Sequence, residues 1–228
     1  MTSPAGSAQG PAADPLSVLA RIRTTRPRER PRPGERCDLC ATPIPDEHEH
    51  IVDLEQRNLL CTCHGCFLLL APDGAGGLRY RAVPDRYLAF PDFELSPGQW
   101  DSLQIPVSVA FFFVNSSLER VAAFYPSPAG ATESLLPLDT WDDIVAAHPD
   151  LATLQPDVEA FLVRSERPGG GTAECYLVPI DACYEMVGHL RRLWRGFDGG
   201  QEAHDALDAF FDRIRARAES VMAKESRP

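Results

Sequence analysis

The spacing of hydrophobic residues predicts strands in the middle of the chain and helices near its C-terminal end. Residues 103–114 predict a strand with one face formed by Val107, Val109, Phe111 and Phe113, and Phe112 on the opposite face indicates some burial on both sides. Shorter runs predict strands over residues 118–125, 158–165 and 173–180. Apolar residues three or four positions apart predict helices over residues 140–147, 181–195 and 201–223. We therefore expect an α+β body across residues 78–228, in which an antiparallel sheet packs with two C-terminal helices.

A smaller unit precedes this body at residues 36–77. Residues 50–54 and 58–63 read as two short strands, and the polar stretch 55–57 between them reads as a turn. An isolated hairpin of this size is only marginally stable in water, so the unit needs a covalent or metal staple. The predicted α+β protein thus has an N-terminal hairpin that resembles a zinc ribbon, followed by the body.

Residues 1–35 form a third region with a different composition. Its first thirteen residues are small and polar, and residues 26–34 alternate Arg with Pro, which disfavours helix and favours extended chain. A short helix over residues 15–23 is compatible with the apolar pattern there. We interpret the region as a disordered, flexible Arg/Pro-rich tail, and an arm that docks on an acidic partner is the alternative.

Charge and hydropathy exclude several classes of protein. The chain has 228 residues and a formal net charge of −11, whereas a nucleic-acid-binding domain is usually basic. No apolar run approaches the ~18 residues of a spanning helix, and the first thirty residues lack the apolar segment of a secretory signal. We therefore expect a cytoplasmic protein that neither binds nucleic acid nor inserts into a membrane.

The cysteines are the main candidates for chemistry. Five of the seven fall within thirty residues, and the odd total in a chain expected to be cytoplasmic argues for metal binding over disulfides. Two Cys-x-x-Cys pairs, separated by 22 residues, bracket the predicted hairpin. Each pair can direct two sulfurs at one ion, and two pairs complete a tetrahedral site. The predicted ligands are Cys37, Cys40, Cys63 and Cys66, with zinc as the predicted metal and iron as the alternative.

Cys61 leaves the ligand assignment open. In an extended strand Cys61 and Cys63 point to the same side, so either can ligate, and five sulfurs do not fit one tetrahedral ion. We favour Cys63 because of its spacing to Cys66, which leaves Cys61 as a buried neighbour, a substitute ligand, or part of an iron–sulfur site.

We interpret the nearby tract 46–50, which contains His48 and His50, as a solvated approach to the hairpin, and His64 as facing solvent or supporting the ligands.

The remaining candidates are weaker. Gly169–Gly171 lacks a following Lys-Ser/Thr, and no order of Ser, His and Asp typical of a hydrolase is present. Cys175 and Cys183 read as core residues, and His189 and His204 as ordinary helix residues. An enzyme remains a third hypothesis, which requires a buried pocket lined by His148, His189 or Cys183.

Four stretches together carry a family resemblance: Cys-Asp-Leu-Cys at 37–40, Leu-Leu-Cys-Thr-Cys-His-Gly-Cys at 59–66, Tyr-Leu-Val-Pro-Ile-Asp-Ala-Cys-Tyr-Glu at 176–185 and Leu-Trp-Arg-Gly-Phe-Asp-Gly-Gly at 193–200. Across residues 36–217 the chain resembles an uncharacterised bacterial family, a domain of unknown function, whose members are often encoded beside [NiFe]-hydrogenase genes. The resemblance implies an accessory role with a hydrogenase subunit or maturation factor as partner. It implies no catalytic residue.

Two functions follow from these observations. The first is a non-enzymatic accessory protein in which a zinc ribbon stabilises a partner-binding surface. The second is a rubredoxin-like one-electron carrier in which the four sulfurs hold iron. Rubredoxins usually have Gly soon after the second Cys of each pair, whereas this chain has Ala41 and Phe67 there, and we therefore favour the first function.

Overall fold

A computed structural model of the chain describes residues 36–70, 79–134, 143–146, 148–165, 173–196 and 199–221. The predicted tail over residues 1–35, including its short helix, lies outside the described residues, as do both ends of the helix predicted over residues 140–147. Residues 143–146 of that helix are helical.

The predicted hairpin is confirmed and belongs to a three-stranded sheet. Strand β1 (Glu49–Asp53) pairs antiparallel with β2 (Asn58–Thr62), and β3 (Tyr80–Ala82) pairs antiparallel with the other edge of β1. Asp53 closes the turn, because its carboxylate accepts hydrogen bonds from the backbone N–H groups of Glu55 and Gln56. A seven-residue helix, α1 (His64–Leu70), follows β2 directly.

Seven strands form the second sheet. They are β4 (Leu88–Ala89), β5 (Val109–Asn115), β6 (Arg120–Ser127), β7 (Gly130–Ser134), β8 (Glu159–Ser165), β9 (Ala173–Pro179) and β10 (Glu219–Ser220). Their order across the sheet is β10-β4-β9-β8-β5-β6-β7, and every neighbouring pair is antiparallel except β10 and β4. The predicted antiparallel sheet is therefore confirmed, with β8 and β9 forming its central hairpin.

Both faces of this sheet are buried. Helices α3 (Ile180–Leu193) and α4 (Gly200–Arg217) cover one face, where they pack against a set that includes Phe111, Leu162 and Val178. The other face, which includes Phe112, Phe161 and Leu177, packs against helix α2 (Pro97–Ser102) and the segments around it. Successive side chains along each strand thus enter the hydrophobic core on one face of the sheet and then the core on the other. The apolar residues on both faces of residues 103–114 indicate this two-sided burial.

Two predicted elements have different bounds. The strand predicted over residues 103–114 begins at Val109, because a capping box between Ser96 and Gln99 starts α2 and Gln104 then takes a left-handed conformation with φ 53°. The helix predicted to reach residue 223 ends at Arg217, and the chain continues as β10. There the backbone bonds the free edge of β4, with Val221 N–H donating to Ala89 O.

Three arginines in the segment 79–86 form ion pairs with buried carboxylates of the two sheets. The pairs are Arg79–Asp53 at 2.6 Å, Arg81–Asp157 at 3.0 Å and Arg86–Glu159 at 2.6 Å. Because Glu159 begins β8 and Asp157 lies two residues before it, the segment that carries β3 is attached to the large sheet. All described residues fall in one compact unit, Gly34–Pro228, and the division predicted between residues 77 and 78 stays a prediction.

Candidate metal centre

The first Cys-x-x-Cys pair lies in a tight turn before the hairpin. Ala41 N–H donates to Cys37 O at 2.8 Å, and Cys37 N–H donates to Thr42 O at 2.8 Å. Ala41 closes the turn in the left-handed region, with φ 59°. The turn is attached to β2 because Asp38 N–H donates to Cys61 O and Cys61 N–H donates to the Asp38 carboxylate.

The second pair lies where β2 passes into α1. Cys63 precedes the helix, Cys66 lies in its first turn, and Phe67 N–H donates to Cys63 O at 3.0 Å. The hydrogen bond between His64 and Glu49, 2.7 Å long, connects this turn to β1 and lowers the pKa of Glu49. His64 is otherwise exposed, consistent with the expectation that it faces solvent.

The two turns bring four sulfurs together. The Sγ atoms of Cys37, Cys40, Cys63 and Cys66 all lie within 4.8 Å of one another. The Cys40 and Cys63 sulfurs are 3.7 Å apart, and all four cysteines are free thiols. A tetrahedral ion with metal–sulfur bonds of ~2.3 Å separates its ligands by about 3.8 Å. The donor set therefore fits one tetrahedral ion, although the residues do not identify the metal.

The thiols have unequal acidity. Hydrogen bonding with Thr42 lowers the pKa of Cys40 to about 6, whereas burial raises the pKa of Cys66 to about 12. Cys37 is buried and Cys40 is exposed, so the cluster lies at the surface with one side open. A metal requires the deprotonated form of each ligand, so binding would release protons.

Helix α1 packs only lightly on the rest of the molecule. None of its residues is buried, and Leu68 and Leu69 each expose 58% of their surface. A helix of seven residues is too short to be stable by itself in water. Cys66, the His64–Glu49 hydrogen bond and the half-buried Phe67 and Leu70 therefore hold the helix against the small sheet.

Cys61 belongs to a different group of side chains. Ligand atoms of Cys61, His48 and His50 lie within 4.8 Å of one another. The 46–50 tract was expected to be solvated, but the two imidazoles are half-buried and their rings approach to 4.6 Å. Sequence reasoning missed this grouping, which the hairpin register could have indicated, because His50 and Cys61 are cross-strand partners.

The other candidates have structural contacts. Cys175 and Cys183 are buried in the two hydrophobic cores, where burial raises the pKa of both thiols. His148 packs on Phe93 with ring centroids 4.7 Å apart, and His189 is exposed beside Arg192. Within the described part of the chain, these residues do not converge on a pocket with carboxylates.

The fold and site define a class: a mixed α/β protein with antiparallel sheets and a four-cysteine cluster able to hold a metal ion. The chain belongs to the family of unknown function DUF5947, whose model matches residues 36–218. This confirms the expected membership of an uncharacterised family. Searches of curated proteins and of solved structures gave no match. Among the described helices, none combines the length and the apolar character that crossing a membrane requires.

Proposed function

We propose that this chain is a non-enzymatic accessory protein whose four-cysteine centre holds zinc and whose surface binds a protein partner. The observation that carries the proposal is the convergence of Cys37, Cys40, Cys63 and Cys66 within 4.8 Å. Four thiolates fill a tetrahedral ion and leave no position for water, which is typical of a structural site rather than a hydrolytic one.

The ion would stabilise local structure. Structural zinc sites contribute roughly 10–16 kcal/mol of apparent binding free energy, more than a short helix and a turn can supply themselves. The two hydrophobic cores on the large sheet are formed mainly by its own strands and helices, with Val52 of β1 at the margin of one of them. We therefore expect chelation to release the Cys37–Cys40 turn and α1 while the sheet stays folded.

Hydrogen exchange measures this expectation directly. Under reducing conditions, the metal-free protein should lose amide protection in residues 37–42 and 63–70 and keep it in β8 and β9. Cys40→Ser should reproduce the loss, and Cys175→Ala, a cysteine outside the cluster, should not. Unchanged protection in both segments after complete metal removal would contradict a structural role for the ion.

We further propose that the partner is a subunit or maturation factor of a [NiFe] hydrogenase, whose assembly or operation this protein assists. The sequence resemblance supports this, because the family it indicates is often encoded beside hydrogenase genes. The exposed Leu68 and Leu69, two and three residues after a ligand, offer apolar surface of the kind that partners cover.

Affinity capture from cells that make the hydrogenase tests the partner. The protein should recover hydrogenase subunits or maturation factors, and Leu68→Asp/Leu69→Asp should reduce the recovery. Leu118→Asp is the matched control, because Leu118 is also exposed but lies between β5 and β6. Capture that recovers no hydrogenase component, with the protein metal-loaded and folded, would refute the proposed partner.

The second candidate is a rubredoxin-like one-electron carrier with iron in the same site. The residue type at Ala41 departs from the rubredoxin pattern, but its backbone, with φ 59°, takes the left-handed conformation that glycine adopts readily. The exposed Cys40 also brings the site to the surface, as electron transfer requires. Metal analysis of tag-free protein separates the candidates: a colourless sample with zinc supports the first function, and a red sample with iron supports the second.

A further inference from the structure

A second group of metal-ligating side chains lies on the hairpin beside the four-cysteine centre. His50 on β1 and Cys61 on β2 are directly opposite each other in the antiparallel register. His48 is two residues before His50, and their rings lie 4.6 Å apart. As a result, one ligand atom from each of the three residues falls within 4.8 Å of the others.

The hydrogen bonds of His48 leave one ring nitrogen available. Nδ1 of His48 lies 2.9 Å from the backbone oxygen of Pro45. Because a carbonyl oxygen only accepts, the neutral ring carries its proton on Nδ1 and presents the Nε2 lone pair. That Nε2 is buried and has no hydrogen-bond partner among the described residues. A backbone carbonyl holding the opposite nitrogen is the usual arrangement behind a metal-binding histidine.

His50 has a similar arrangement with a carboxylate. Its Nδ1 is buried and faces the Asp181 carboxylate at 2.9 Å. The other Asp181 oxygen accepts a hydrogen bond from Ala182 N–H at 2.7 Å, which fixes the carboxylate at the start of α3. With Nδ1 of His50 facing Asp181, Nε2 is the nitrogen of that ring left for a cation, and the same cation would satisfy the buried, unpartnered Nε2 of His48.

We propose that His48, His50 and Cys61 form a second metal site, separate from the four-cysteine centre. Two imidazoles and one thiolate suit a borderline-soft divalent transition metal such as Zn²⁺, Co²⁺ or Cu²⁺, and do not suit Mg²⁺ or Ca²⁺. Three protein ligands leave a fourth position open, unlike the closed set of four sulfurs. Asp181 is a positioning residue that acts through His50.

The site does not depend on the proposed function, because no ligand is shared. Cys40 belongs only to the first cluster, and Cys61 only to the second. The two clusters are nevertheless close in space. Asp38, in the turn of the first cluster, donates its N–H to Cys61 O, and its carboxylate accepts from Cys61 N–H. Separate removal of each cluster is therefore the necessary design.

Cobalt titration of the full-length, tag-free, reduced apoprotein tests the proposal. The native protein should bind two equivalents of Co²⁺, and Cys61→Ser and His48→Ala should each bind one, with the intense thiolate charge-transfer band of a four-sulfur site retained. Cys40→Ser/Cys63→Ser, which leaves only two thiols in the first cluster, should also bind one equivalent, with the weaker band of a single thiolate. His189→Ala, an exposed histidine on α3, is the matched control and should still bind two equivalents.

The outcomes separate this site from the first. One equivalent in the native protein, unchanged by Cys61→Ser and lost in Cys40→Ser/Cys63→Ser, would overturn the second site and leave the four-cysteine centre intact. Asp181→Asn should weaken only the second equivalent, by roughly 10–100-fold, as a change next to a ligand does. Because the number of Co²⁺ equivalents is measured on the native protein itself, the proposal can still be tested if one of the variants fails to fold.

Discussion

Replacement of Ala41 by glycine should stabilise the protein, although glycine usually destabilises. Ala41 follows the second cysteine of the first turn and has φ 59°. Its backbone closes the turn, with its N–H donating to Cys37 O and its carbonyl accepting from the Arg36 guanidinium. The conformation is therefore imposed on an L-residue by the hydrogen bonds that position Cys37 and Cys40.

The magnitude follows from two opposing contributions. The left-handed conformation costs a non-glycine residue about 1–2 kcal/mol. Glycine removes this cost but adds about 0.4–1 kcal/mol of unfolded-state entropy. We therefore expect Ala41→Gly to raise the free energy of unfolding of the metal-loaded protein by about 0.5–1 kcal/mol. Ala41→Val should lower it, because branching at Cβ makes the left-handed region costlier still.

Urea unfolding of the zinc-loaded protein, followed at several protein concentrations, is the assay. The matched control is Ala216→Gly, because Ala216 is exposed within α4 and has no positive φ. That change should cost about 0.5–1 kcal/mol. If Ala41→Gly destabilises the protein as much as Ala216→Gly does, the turn is not strained and our account of the first Cys-x-x-Cys turn is wrong.

Two further predictions concern the buried carboxylates. Arg86→Met should lower the free energy of unfolding by about 3–5 kcal/mol, because it leaves the fully buried Glu159 with only one backbone donor, and adding Glu159→Met should recover much of the loss in thermal unfolding. Hydrogen bonding to Arg79 holds the pKa of Asp53 below its usual value, so this contribution is present above the ordinary pKa of about 3.9 and is lost as the pH falls through the folded value. The stability difference between the native protein and Asp53→Asn should thus shrink below about pH 4 in denaturant titrations, and a constant difference would contradict the pairing.

Much of the fold could be predicted from local pattern. Strand β8 and helix α3 lie within a residue or two of their predicted bounds, because their apolar periodicity coincides with the burial that tertiary structure imposes. The prediction fails where pairing with a neighbouring strand outweighs the helix propensity of a segment. Residues 218–221 continue the helical pattern, yet they leave the helix because the edge of β4 offers backbone partners.

The four-cysteine cluster could be predicted because two short turns of fixed spacing determine where their sulfurs point. The His48–His50–Cys61 grouping could not be read from spacing alone, since it depends on the register of β1 and β2. The short strands β3 and β4 were also missed, because three or two residues carry too little periodicity to indicate a strand.

X-ray absorption at the metal edge tests the central claim most directly. The sample is tag-free Cys61→Ser protein that carries one equivalent of metal, so that only the four-cysteine centre contributes sulfur. Our account predicts a first shell of four sulfur atoms at about 2.3 Å. A first shell dominated by nitrogen or oxygen, or one with two or fewer sulfurs, would contradict it.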